Sequence, residues 1–281
     1  MSRNPYENVD VTAQLRRSVF VLMDILGYTA MIQEAEHNGT QQDLLQKLHS
    51  SLSAGRNQLE EKHKAFEGLK KLTAKDRYAL KAFTDNIVIA WPIIDDAEIE
   101  LGSAFTKVAE FQFTMALDGF FIRGAVALGD AYVDDIAVFG DALTQAHIGE
   151  SQFARDPRII LTDSAAQAVK QHLEYYHSPK FAPQVREVLC DSDGQWFVNY
   201  LDSVLIAEDE HGPFYDEFLK HKVSVEEKLS QYKDNPSIFS KYAWVAGYHN
   251  FFCDLHSRFF SNEHKINTEL FQATPKLIVD K

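Results

Sequence analysis

The sequence predicts an α+β fold: a βαββαβ unit whose mixed sheet carries packed helices, continued by a helical elaboration. Three observations lead there. Val19-Phe20-Val21-Leu22-Met23 is an uncharged apolar run that ends on Asp24, with Gly27 three residues later. Two strand-like runs flank Asp85-Asn86, and long stretches of helical periodicity separate the strands. An apolar run without polar alternation suits a strand covered on both faces, whereas leucines at three- and four-residue spacing suit a helix.

In chain order, residues 1–16 are polar and read as a loose arm or short helix, and residues 17–24 as the opening strand. Helix is expected from Thr29 to about Lys64, interrupted at Asn38-Gly39-Thr40. Thr40-Gln41-Gln42-Asp43 resembles a helix start, followed by Leu44, Leu45, Leu48, Leu52 and Leu59 at helical spacing. Residues 65–76 are Lys-rich and read as an exposed connection. Tyr78–Phe83 and Ile87–Trp91 form a hairpin about Asp85-Asn86, a dipeptide tolerant of a tight turn, and Pro92 ends it. Residues 96–118 are helical, with Ile99, Phe105, Val108, Phe111 and Met115 on one stripe.

A second strand pair is expected at 120–129 and 131–139. Gly140 opens a helix to about Phe153, Arg158–Leu161 is a strand, and Ser164–Leu173 a helix. Strand-like runs follow at Val185–Leu189 and Trp196–Leu201. Helices are then expected over 213–232 and from Phe239 to Phe260, the latter with Tyr242, Val245, Phe252 and Leu255 as its buried stripe. No linker or repeat interrupts the chain. The expected organisation is an arm (1–16), a core (17–181), and a strand and helix extension of the same domain (182–281).

Composition narrows the functions. Across 281 residues, 45% hydrophobic and 25% charged residues support a core. A net charge of −13 argues against nonspecific nucleic-acid binding, which needs Lys and Arg to neutralise phosphates. A small phosphorylated substrate remains compatible, because a divalent cation and an arginine can invert a local field. No stretch is long and apolar enough for a membrane span, and Met1–Pro5 carries no signal-peptide core. Cys190 and Cys253 lack metal spacing and read as buried free thiols in a reducing cytoplasm. The eleven histidines form no metal-spaced cluster.

The candidate chemistry is carboxylate chemistry. In a βαββαβ sheet the first strand is central and ends beside the hairpin turn, so Asp24 and Asp85 meet at one rim. Two adjacent carboxylates repel unless a cation lies between them. Mg²⁺ or Mn²⁺ suits that arrangement, bound by one or two carboxylates with substrate phosphates completing the shell. Gly27 allows close ligand approach and Thr29 can cap the following helix. The alternative is two aspartates serving separate turns.

These residues resemble a known family. Asp24-Ile25-Leu26-Gly27-Tyr28-Thr29 is similar to the Asp-Ile-x-Gly-Phe-Thr motif of class III nucleotidyl cyclases. Lys81-Ala82-Phe83-Thr84-Asp85 is similar to that family's Lys-x-x-Gly-Asp, with threonine for glycine. Phe139-Gly140-Asp141-Ala142-Leu143, with Ala146 and Glu150-Ser151, follows its helix signature, and the resemblance spans about residues 17–165. It implies a ferredoxin-like cyclase core. It implies two Mn²⁺ or Mg²⁺ ions on Asp24, Asp85 and the Ile25 carbonyl, with terminal phosphates on the amides of Gly27, Tyr28 and Thr29. Lys81 falls at the base-reading position.

Three positions depart from the family pattern: Ala137 replaces the acidic adenine reader, Thr144 the ribose-positioning asparagine, and Ile148 the transition-state arginine. Arg123 is the candidate substitute facing the α-phosphate, with a buried structural arginine as its alternative. The departures resemble the pyrimidine cyclases of bacterial Pycsar anti-phage defence. The implied activity is conversion of UTP to cyclic UMP, Lys81 being a pure donor and uracil offering carbonyl acceptors. Cytidylate or purine cyclase activity, or a catalytically silent nucleotide-binding or interaction module, are the alternatives. The resemblance also implies a cytoplasmic homodimer with composite sites and a separate effector protein that senses the product, with no nucleic-acid or membrane partner.

Overall fold

A computed structural model describes residues 4–7, 12–60, 78–83, 85–205 and 212–271. The protein is α+β with a mixed eight-stranded sheet among the described residues. It divides into two compact units, Met1–Ser203 and Val204–Lys281.

The first unit holds the sheet. Its strands are β1 (Arg16–Ile25), β2 (Ala79–Phe83), β3 (Asn86–Pro92), β4 (Ile122–Val133), β5 (Val138–Phe139), β6 (Ile159–Leu161), β7 (Val188–Cys190) and β8 (Trp196–Val198). The order is β2-β3-β1-β4-β6-β8-β7, with β5 paired to β4. β1 is antiparallel to both β3 and β4, and β4 to β6 is the parallel pair that makes the sheet mixed. The central position of β1 explains its uniform apolarity: Val19, Phe20, Val21 and Met23 have no exposed surface, so both faces of the strand are covered.

The helices of this unit are α1 (Tyr28–Asn38), α2 (Gln41–Glu60), α3 (Glu98–Leu117), α4 (Asp141–Ile148), α5 (Asp163–Leu173) and the single turn α6 (Gln184–Glu187). The expected break between the first two is present, with Gly39 in the left-handed region as the α1 C-cap and α2 starting after Thr40. On α3, Phe105, Val108, Phe111 and Met115 are buried, but Ile99 in its first turn is exposed. Leu45 on α2 is exposed too, because the buried side of α2 runs through Leu48, Ser51 and Gly55.

Several expectations need correction. The two strands expected over 120–139 are largely one, because β4 runs unbroken through Gly129 and Asp130. The aspartate at that point, Asp130, pairs with Arg17 across the β1–β4 ladder, and its N–H donates to Asp141 Oδ1 at 2.6 Å. The amino-terminal arm is docked where it is described: Tyr6 is fully buried and donates its hydroxyl to Ser18 Oγ at 2.8 Å. Asn4 Nδ2 donates to the Val133 carbonyl at 2.9 Å. Val185 belongs to α6 rather than to a strand, and Cys190 is exposed, whereas Cys253 is buried. The Lys-rich connection at 65–76 lies outside the described residues.

The second unit is built on α7 (Tyr215–Gln231) and α8 (Pro236–Leu255). Asn235 caps α8 by accepting from the Ile238 N–H, and Pro236 occupies the first helical position, where it gives up no internal bond. Phe218, Val225 and Leu229 are buried on α7, as are Tyr242, Val245 and Phe252 on α8. Leu255, expected on that stripe, is exposed at the helix end. His221 and His249 are buried with Nδ1 atoms 3.0 Å apart, and His249 Nε2 donates to the His264 carbonyl at 2.9 Å. That donation leaves His249 Nδ1 as an acceptor, so His221 Nδ1–H must be the donor.

Candidate functional site

The site is assembled by strand register. Asp24, next to last in β1, pairs across the sheet with Asn86 on β3 and with Arg123 on β4. The chain leaving β1 is clamped to both neighbours: the Ile25 N–H donates to the Asp85 carbonyl at 3.2 Å and the Leu26 N–H to the Phe121 carbonyl at 2.8 Å. Asp24 and Asp85 are therefore brought to one rim. Phe83 pairs with Asn86, so Asn86 is already a strand residue rather than part of the hairpin tip. Its Nδ2 donates to Asp85 Oδ1 at 3.1 Å and orients that carboxylate.

Gly124 lets β4 approach β1 closely at this point. A Cβ there would collide with the Leu22 carbonyl oxygen and lie 3.1 Å from Met23 Cα. The next residue back, Arg123, donates from Nε to Asp24 Oδ2 at 3.0 Å, and its Nη2 is 3.0 Å from the same oxygen. Nη2 also lies 2.8 Å from Glu150 Oε1. That second approach is an ion pair by distance without the geometry of a directed hydrogen bond.

Glu150 was not among the residues expected at the site. It belongs to a π-helical turn, Gly149–Phe153, that continues α4. Gly149 is pressed onto the sheet, where a Cβ would lie 2.8 Å from Ala125 Cβ and 3.1 Å from Thr162 Cγ2. The signal was present in the sequence: Ala142, Ala146 and Glu150 recur every four residues, and the first two are buried. A glutamate in that row must point inward, where it needs a cation.

Burial pushes the Asp24 carboxyl up to about 6, against the hydrogen bond and charge of Arg123, with the charges of Glu150 and Asp85 adding to the rise. Asp24 and Glu150 share one guanidinium, and the nearby Asp85 charge leaves an excess of negative charge. A divalent cation fits that excess, but no group of three or more His, Cys, Asp or Glu among the described residues stands ready to hold one. Asp24, Asp85 and the Ile25 carbonyl are thus suited only to an ion whose shell is completed by water or phosphate.

Beside the carboxylates, Gly27 has φ 74° and starts α1, exposing the amides of that helix's first turn. Nothing lies within 4 Å of a Cβ built on Gly27, so the turn requires glycine for its backbone angle rather than for space. Thr29 does not cap α1: Gly27 is the N-cap and Thr29 is already inside the first turn. Tyr28 is half-buried and Thr29 exposed.

Lys81 pairs with Val88, which aligns with Leu22 and Ala125, so Lys81 shares the sheet face of Asp24 one pleat away. Ala137 closes a turn in which its N–H donates to Asp134 Oδ1 at 2.6 Å. The Tyr132 hydroxyl, with those turn amides and the Lys81 charge behind it, holds the Asp134 carboxyl below its usual range. Thr144 and Ile148 are exposed on α4. The register places Asp24, Asp85 and Arg123 together, whereas Thr144 lies on the solvent-exposed side of α4. No protein-family model matches this chain, and no curated protein matches it significantly.

Proposed function

We propose that this chain is a metal-dependent pyrimidine nucleotide cyclase that converts UTP to 3′,5′-cyclic UMP and diphosphate. The observation that carries the reading is the cross-strand row in which Asp24 faces Arg123 on one side and the Asp85-Asn86 hairpin on the other. The order β2-β3-β1-β4 with antiparallel neighbours supports a ferredoxin-like cyclase core.

In the reaction, the ribose 3′-oxygen forms a bond to the α-phosphorus as the bond to the β-phosphate oxygen breaks in line. Diphosphate leaves with that electron pair and the hydroxyl proton passes to water. Two Mn²⁺ or Mg²⁺ ions on Asp24, Asp85 and the Ile25 carbonyl would supply Lewis acidity to the hydroxyl and the leaving group. Arg123 offers a guanidinium to charge developing on the α-phosphate. The amides of Gly27, Tyr28 and Thr29 suit the terminal phosphates at a helix N-terminus. Lys81, on the same sheet face, donates to a uracil carbonyl, and Ala137 contributes no acidic acceptor for an amino group. The enzyme acts as a cytoplasmic homodimer with composite sites, and cyclic UMP reaches a separate effector in antiviral defence.

Incubating the protein with each nucleoside triphosphate and Mn²⁺ tests this reading. Cyclic UMP is expected as the main product and Asp85→Ala should abolish it; cyclic CMP, cyclic AMP or cyclic GMP in its place would overturn the uridylate assignment. A second reading, a silent nucleotide-binding module, is favoured by Thr144 and Ile148 at the family's ribose and transition-state positions. It requires nucleotide binding without any cyclic product.

A further inference from the structure

Resting on the cation site proposed above, we propose that Glu150 is a positioning residue that holds Arg123 in reserve. When Asp24 takes a divalent cation, Glu150 retains the guanidinium beside the site so that it can face a phosphate.

Arg123 is shared unevenly. Nε and Nη2 both reach Asp24 Oδ2, so the guanidinium and a cation bound by Asp24 would draw on the same carboxylate. A dication there repels the guanidinium, which must then leave or be kept by another anion. Glu150 is that anion, with Oε1 2.8 Å from Nη2. Its side chain is 8% exposed, against 15% for Asp24 and 27% for Arg123, so it is the deepest of the three and the least screened.

The contact is also of the right kind for a pivot. It lacks directed hydrogen-bond geometry, so Arg123 can turn about Glu150 without breaking a well-aligned bond. The backbone beneath is fixed, because Gly149 packs against Ala125 and Thr162, and the Ala154 N–H donates to the Gly149 carbonyl at 3.0 Å to close the π-turn. Single π-helical turns of this type recur at functional sites.

Two consequences distinguish a positioning role from a merely structural one. Without the Glu150 charge, Arg123 is left to Asp24 alone and competes harder with the metal. Without Arg123, Glu150 has nothing to hold, and the cation binds Asp24 unopposed.

The test is Mn²⁺ affinity of the substrate-free protein, followed by the paramagnetic signal of free Mn²⁺. Glu150→Gln should weaken binding about tenfold or more, the range found for partners of metal ligands. Arg123→Gln should tighten it, and in that background Glu150→Gln should lower affinity by no more than about threefold. Equal losses from Glu150→Gln with and without Arg123 would overturn the inference while leaving the cation site standing. Absence of Mn²⁺ binding to the wild-type protein would overturn both. Should Glu150→Gln fail to fold, the Arg123→Gln arm decides: affinity unchanged or weaker than wild type rejects the competition.

Discussion

Arg123 lies directly across the β1–β4 ladder from Asp24, and two of its nitrogens reach one carboxylate oxygen, Oδ2, each at 3.0 Å. The pair does not remove the electrostatic cost of the site. Asp24 stays pushed up to about 6 because burial, Glu150 and Asp85 together outweigh the guanidinium.

That balance sets the sign of the first prediction. An acid whose folded value lies above its ordinary 3.8 binds its proton more tightly when folded, so stability falls as pH rises from about 4 through about 6 and is level above. At pH 7 the charged Asp24 therefore costs on the order of 1–3 kcal/mol. Asp24→Asn should make the protein more resistant to urea at pH 7, with the gain disappearing near pH 4. A variant that is less stable than wild type at pH 7 would contradict the argument.

Gly124→Ala and Gly27→Ala should differ in both cost and cause. The first inserts a methyl group against the Leu22 carbonyl near the Ile25 end of the β1–β4 ladder and should cost about 1–3 kcal/mol. The second meets open space and pays only for its left-handed backbone, about 1 kcal/mol. Thermal melts rank them, and Gly27→Asn should recover part of the smaller loss.

Arg158 is 1% exposed and is held by Asp191 and Asp193 at the β7–β8 hairpin. Removing both carboxylates strands a buried charge, whereas removing the arginine frees two groups that reach water more readily. Asp191→Ala with Asp193→Ala should therefore cost more than Arg158→Met, with roughly 3–5 kcal/mol expected for the stranded arginine. Chemical denaturation of the two variants compares them directly.

The buried histidine pair makes the second unit acid-sensitive. Burial holds His249 down to about 4, and burial, with the repulsion the two rings would feel if both were protonated, holds His221 well below its ordinary 6.5. Both are neutral when folded, so the unfolded chain binds protons first as pH falls below about 6.5. Stability should drop by roughly 1.4 kcal/mol per pH unit per histidine below that point. His221→Phe should flatten the acid limb of the urea midpoint against pH, and an unchanged limb would refute the assignment.

Some of this was readable from residue order. The β1 run, the helix break at Gly39 and the Asp24–Asp85 juxtaposition follow from short-range rules of periodicity and turn chemistry combined with one topology. Thr29 misled because a cap is identified by which residue leaves the helical conformation, and Gly27 does so first. The strand pair expected over 120–139 misled because Gly129 and Asp130 look like a turn but sit inside a paired ladder. Glu150 was legible in principle, through its spacing from Ala142 and Ala146, yet its importance depends on what it meets.

By itself, then, the order of residues determined the α+β class, the apolar central strand and the two aspartates at the ends of adjacent elements. Those features depend on contacts within a few residues or on the alternation of a single strand. Only the tertiary structure decided that Arg123 faces Asp24, that Gly124 makes the approach possible and that Glu150 shares the guanidinium. Asp24 and Arg123 are separated by 99 positions, and Glu150 reaches them from a helix on the sheet face. Register and packing, which are global properties of the folded chain, bring such groups within 3 Å.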